Sequence, residues 1–128
     1  MIFRARALAA LGLSLAVVHC TRAGQELSGP SDRTCTIPHA GRERTYHLRL
    51  PPGHDPAKRW PLLLVLHGGG GTGGGFDRSM TGGTLNRAAD EHGFIVAYPE
   101  AHEKHWNDGR GLEAYASQKL GIDDVGFL

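Results

Sequence analysis

The sequence predicts an α/β protein in which an antiparallel hairpin at a sheet edge leads into a strand, helix and strand unit of a mostly parallel sheet. Three observations carry this expectation. Leu62 to Leu66 is an unbroken apolar run that passes through His67 into a glycine cluster, and Phe94 to Tyr98 is a second such run, closed by Pro99. Short apolar runs without polar alternation, bounded by turn residues, read as strands buried on both faces. Between the two, Leu85, Ala88 and Ala89 recur at helical spacing, which supplies the crossover that parallel strands require.

Taken in order, the chain opens with Arg4 and Arg6 ahead of the apolar run Ala7 to Val18, the pattern of an export signal and too short to span a bilayer. Thr21-Arg22-Ala23 is a small-x-small cleavage site. The expected organisation is a signal peptide over residues 1–23, a polar linker over 24–32 containing Gly29 and Pro30, and a partial α/β domain over 33–128. The destination is secreted or periplasmic. A lipid anchor at Cys20 is the rival, but His19 stands where such signals want a small residue. If Cys20 leaves with the signal, Cys35 is a thiol without its partner or a small buried hydrophobe.

Fourteen Lys and Arg against thirteen Asp and Glu give a net charge of +1. Without a basic cluster, nucleic acid and anionic membrane surfaces are excluded as partners, and no membrane association is expected once the signal is removed. The chain is 40% hydrophobic and so globular in character, yet Gly24 to Leu128 is short for a doubly wound α/β domain.

Arg33 to Ile37 and Arg44 to Leu50 flank a turn at His39-Ala40-Gly41, and Tyr46, Leu48 and Leu50 alternate with His47 and Arg49, as in an amphipathic hairpin. Pro51-Pro52-Gly53 ends it, His54 to Arg59 is a loop, and Trp60 is a packing residue. Leu62 to Leu66 follows, with His67 as the strand's last residue. Thr84 is the expected N-cap and Gly93 the stop of the intervening helix, giving a βαβ unit with a right-handed crossover. The loop Glu100 to Gly111 falls on the same carboxyl edge as the glycine cluster. Its His102 and His105 are spaced three apart and lack a third ligand, so no metal is expected. Asp123 or Asp124 is expected to cap a helix starting at Val125, a structural role.

Gly68 to Gly75 holds seven glycines in eight positions, and a glycine loop at the carboxyl end of a strand is built to present backbone N–H groups to a ligand. Three chemistries use such loops. A P-loop needs Lys and then Ser or Thr after its last glycine, whereas Gly75 is followed by Phe76 and Asp77. Gly69, Gly71 and Gly74 match the dinucleotide pattern G-x-G-x-x-G, but so many glycines match almost any template and no helix opens at Gly74. His67-Gly68-Gly69-Gly70 fits the esterase loop literally, in which a backbone N–H after the strand forms half of an oxyanion hole. A surface loop without a ligand is the remaining alternative.

Pro61-Leu-Leu-Leu-Val-Leu-His-Gly-Gly-Gly-Gly71, Gly93-Phe-Ile-Val-Ala-Tyr-Pro-Glu100, Trp106-Asn-Asp-Gly-Arg110 and Ile122-Asp-Asp-Val-Gly-Phe-Leu128 occur in this order. Together they resemble the amino-terminal part of the secreted polyhydroxybutyrate depolymerase and feruloyl or acetylxylan esterase family of α/β hydrolases, over Arg42 to Leu128. The resemblance implies the amino-terminal portion of an α/β-hydrolase fold, incomplete, with an inner sheet edge left unpaired. It implies a serine carboxylic-ester hydrolase acting on polyester or plant-polysaccharide esters without a cofactor. Gly69 is the expected oxyanion donor, with Gly68 and Gly70 as rivals. His67 shapes the loop, and Trp106 and Asn107 match positions near the mouth of the site, with a packed loop as the equal alternative.

The family's nucleophile sits in a G-x-S-x-G elbow followed by the acid and the histidine, and the expected triad lies beyond Leu128. Ser14, Ser28, Ser31, Ser79 and Ser117 lack the elbow context, and Gly70-Gly71-Thr72-Gly73-Gly74 mimics it inside the loop rather than between strand and helix. The chain alone is therefore expected to be inactive as an esterase. The alternative expectation is a small exported binding or interaction module that keeps the loop without the catalysis.

Overall fold

The structure, a computed structural model, describes the backbone of residues 19–22 and the whole of residues 29–128. The described residues form one five-stranded sheet in the order β1-β2-β3-β5-β4. Its strands are β1 (His19–Arg22), β2 (Ser31–His39), β3 (Arg42–Leu50), β4 (Leu62–Leu64) and β5 (Ile95–Pro99). Three helices, α1 (Thr84–His92), α2 (Ala116–Lys119) and α3 (Asp124–Phe127), complete the main elements.

The hairpin forms as expected, and longer. His39 pairs with Arg42 across a two-residue turn in which Ala40 and Gly41 both have positive φ, 47° and 75°, the tight geometry that matches strand twist. β2 begins at Ser31, inside the span expected to be linker. It is also not the edge. β1 pairs with it antiparallel, Cys20 opposite Cys35, and Cys35 is buried and disulfide-bonded, so it is neither a free thiol nor a merely packed hydrophobe. Removal of residues 1–23 would take β1 with it. Residues 1–18 and 23–28, with most of the expected signal and the Ala23-Gly24 bond expected to be cut, lie outside the described residues.

The strand, helix and strand unit is present, with β4 and β5 parallel neighbours joined through α1. Among the described residues, however, the sheet is not mostly parallel, since β1 with β2, β2 with β3 and β3 with β5 all pair antiparallel. β5 meets the expectation of a buried strand, with Val96, Ala97 and Tyr98 at 0%, 4% and 4% exposure. β4 does not. It stops at Leu64, and Leu62, Leu63 and Leu64 are 59%, 41% and 46% exposed, because β5 covers one side of the strand and the described residues provide no neighbour on the other. Continuous apolarity signalled a strand meant to be covered on both faces; it did not supply the covering elements.

α1 places Ala89 on β5, and Ala89, Val96 and Tyr98 form the core, with Val65, Phe76, Leu85 and Phe94 packed around them. Gly93 ends the helix in the left-handed region at φ 71°, its N–H donating to Ala89 O, as the sequence predicts. The expected N-cap is corrected. Thr84 is the first helical residue and donates its hydroxyl to Thr81 O, while the side chain of buried Asp77 accepts from the N–H groups of Leu85 and Asn86. A π-helical turn, Asp77–Thr81, carries that carboxylate to the helix start. Bidentate Arg49 to Asp90 then ties α1 to β3, with contacts of 3.0 and 2.5 Å. Trp60 is half-buried, its indole N–H donating to Asp55 O, a packing role.

Ser117 on α2 is fully buried, and its hydroxyl has no partner among the described residues. A buried unpaired polar group costs about 1–3 kcal/mol. Ser117→Ala is expected to raise stability by about 1 kcal/mol in urea unfolding; a loss would mean that the hydroxyl is bonded.

Candidate active site

The glycine loop leaves β4, the Glu100 to Gly111 loop leaves β5, and since the strands are parallel both loops rise from one end of the sheet and meet there. His67 is the hinge between them. It is not in the strand, which ends at Leu64, although Val65 N–H still bonds Ala97 O. At 3% exposure it sits in the loop, with Nδ1 2.7 Å from Gly68 O and Nε2 accepting from Ala101 N–H at 3.2 Å. A carbonyl only accepts and an amide N–H only donates, so the proton is assigned to Nδ1. With both ring nitrogens engaged and the ring buried, His67 holds the loop and is not set to act as a catalytic base.

The indole N–H of Trp106 donates to His67 O at 2.8 Å, and the two rings lie 5.1 Å apart. Asn107 donates its N–H to Asp124 Oδ2 at 2.6 Å and its side-chain amide to Ile122 O at 2.9 Å. Both residues are thus brace and wall of the second loop. Asp123 caps α3, accepting from Gly126 N–H at 2.9 Å, and α3 starts at Asp124 rather than Val125. Asp124 is buried in an ion pair with Arg44 at 2.6 Å.

The backbone N–H groups of the loop divide into two sets. Gly70 N–H donates to Lys104 O at 2.9 Å and Gly71 N–H to Gly68 O at 3.1 Å. Gly74 N–H donates to Glu100 Oε1 at 3.0 Å. Those of Gly68 and Gly69, like those of Thr72 and Gly75, have no acceptor among the described residues, and Gly68 and Gly69 are exposed at the strand end of the loop. The far end of the loop presses on β5 so closely that a Cβ at Gly73 would stand 2.6 Å from Tyr98 O and 2.7 Å from Pro99 O. Only glycine fits that approach.

Glu100, which the sequence did not single out, is the post to which the loop is tied. Besides Gly74 it accepts from His47 Nε2 at 3.0 Å, and His47 Nδ1 in turn meets Thr34 Oγ1 at 3.0 Å. Burial pushes the Glu100 carboxyl upward, but the N–H groups of Gly74 and Gly73 together with His47 outweigh it, and its pKa falls below the ordinary value. A carboxyl lowered on folding contributes stability that is fully present above the ordinary glutamate value of 4.5 and is lost as pH falls through the lower folded one. The stability difference between wild type and Glu100→Gln should therefore shrink as pH falls below 4.5, read from urea midpoints; a difference that persists undiminished through that fall would contradict the tether.

On one flank of this post, between the hairpin, the loop's second half and α1, runs an open groove of about 940 Å³ lined by His47, Arg49, Asp77 and Tyr98. Burial, with lesser help from the Asp77 charge, raises the Tyr98 phenol, whose hydroxyl donates to Asn86 Oδ1 at 2.7 Å. It is a structural bond.

Comparison with known proteins gives one partial likeness. Over 70 residues the chain is 43% identical to "Putative esterase NocK" of Nocardia uniformis subsp. tsuyamanensis, a match covering 53% of this chain and 19% of that protein. The chain thus spans about a fifth of the relative's length, 19% by the matched residues. No family model matches. The relationship is to an esterase, and it extends no further than that.

Proposed function

We propose that this chain is the oxyanion-loop segment of a secreted serine carboxylic-ester hydrolase with the α/β-hydrolase fold, of the polyhydroxybutyrate depolymerase or feruloyl and acetylxylan esterase type. The observation that carries the proposal is the pair of unengaged N–H groups at Gly68 and Gly69, beside a Gly70 whose N–H is taken. Support comes also from the strand order, which sets β5 between β3 and β4, from the loop's place at the carboxyl end of β4, and from the likeness to an esterase.

In acyl transfer the tetrahedral intermediate carries a negative oxygen, held without reorganisation by preorganised N–H groups; the proposal takes both Gly68 and Gly69 from this loop, one more than the single loop donor that the motif implies. The proposed reaction takes its nucleophile, base and acid from residues outside this chain. Ser79 donates its hydroxyl to Gly75 O and Phe76 O, and Ser117 is buried, so neither stands ready to attack.

The test is a chimera in which this chain replaces the matching segment of the Nocardia relative. The chimera should hydrolyse a chromogenic short-chain ester as the relative does, and the chain alone should match the buffer control. A folded but inactive chimera of an active relative, or burst release by the chain alone, would refute the proposal.

A further inference from the structure

We propose that His105 is a further binding residue of the glycine-loop site, meeting the second oxygen of a carboxylate whose first oxygen takes the N–H groups of Gly68 and Gly69. This rests on the oxyanion reading of the loop. The ring is oriented twice over. Its Nδ1 lies 3.0 Å from Glu103 O, and because a carbonyl only accepts, that nitrogen carries the proton. Tyr115 stacks on it with centroids 4.1 Å apart and planes 14° from parallel.

The edge so fixed runs along Gly69: a Cβ there would stand 3.4 Å from Cδ2 and 3.7 Å from Nε2 of His105. The turn beneath holds this arrangement at some strain, since Glu103 and Lys104 both have positive φ, 48° and 64°, a region that side-chain-bearing residues seldom occupy. Lys104 O accepts the Gly70 N–H at 2.9 Å, which fastens the His105 turn to the glycine loop.

The chemistry follows from the three groups. Gly68 and Gly69 offer exposed N–H groups without acceptors among the described residues, and Nε2 is the ring nitrogen left for a ligand. An ester carbonyl has one oxygen of this kind; the acid released from an ester has two, and its second oxygen meets Nε2–H when the ring carries a second proton. Tyr115 on the ring's face, with Glu103 and Lys104 in its own turn, are the titratable neighbours. The ligand class is therefore a carboxylate, the acid half of an ester, gripped at both oxygens.

Titration of the chain with benzoate at constant ionic strength, followed by amide and imidazole nitrogen shifts, tests this. The amides of Gly68 and Gly69 should move saturably, those of Gly70 and Gly71 much less, and His105 Nε2 should gain its proton. His105→Ala should weaken binding roughly tenfold, the size of one lost charge-assisted hydrogen bond, and His105→Gln, which keeps a donor, should recover part of it. Glycine shifts with unchanged affinity in both variants would overturn the role of His105 and leave the loop reading standing. No shift at Gly68 and Gly69 would overturn both. If His105→Ala loses amide dispersion, the glutamine variant and the wild-type ring shifts decide: an Nε2 that stays unprotonated at saturation contradicts the proposal.

Discussion

Asp124→Ala is expected to destabilise the protein by about 3–5 kcal/mol, the cost of leaving one member of a buried ion pair without the other. Arg44 and Asp124 are 5% and 4% exposed and 2.6 Å apart. Arg44 also donates to Glu100 O at 3.2 Å and lies 4.0 Å over the Phe127 ring, while the second carboxylate oxygen takes Asn107 N–H. The pair therefore joins the hairpin, the end of β5, the second loop and α3 at one point. The alanine variant strands a guanidinium away from water. Replacing both, as Arg44→Met with Asp124→Leu, should recover most of the loss, since the uncompensated charge and not the missing attraction is the larger part of it. Urea unfolding of the single and double variants reads this; equal losses would place the effect in packing instead.

Gly69→Pro in the chimera is expected to lower ester turnover by roughly 10²- to 10³-fold, the usual cost of one oxyanion donor, with a much smaller change in KM. Proline removes the N–H and leaves a nucleophile elsewhere untouched. Gly69→Ala is the matching control, for it keeps the N–H, and its new Cβ meets only the His105 ring, at 3.4 Å. Gly68→Pro should behave like Gly69→Pro. Gly70→Pro removes a bond to Lys104 O and so loosens the loop rather than emptying the oxyanion site. Near-normal turnover in both the Gly68 and Gly69 proline variants would remove the loop from the mechanism.

Much of the frame was legible because it depends on local chemistry. The hairpin followed from alternation and its turn, β5 from an apolar run closed by Pro99, and the end of α1 from Gly93. What escaped was set by partners distant in sequence. Leu62 to Leu66 promised a covered strand, but coverage depends on neighbours, and among the described residues β4 has one on a single side. Thr84 looked like a cap, yet the capping carboxylate is Asp77, delivered by a π-helical turn that has no sequence signature. β1 fell inside a run whose composition speaks of export and says nothing of pairing. At the site, His67 as a loop-shaping residue could be anticipated from the motif, whereas Glu100 could not, since its role depends on two loops meeting. Arg44 left a usable trace. By strand parity it shares a face with Tyr46, Leu48 and Leu50, and a cation on an apolar face asks for a buried acid; Asp124 is that acid.

The most direct measurement is a crystal structure of the chimera with a trifluoromethyl ketone, which a serine nucleophile converts into a tetrahedral adduct bearing a negative oxygen. That oxygen should lie about 2.7–3.1 Å from the backbone nitrogens of Gly68 and Gly69, the range that effective oxyanion donors keep. An adduct oxygen held by other donors, with both glycine N–H groups turned away from it, would contradict the assignment of this loop.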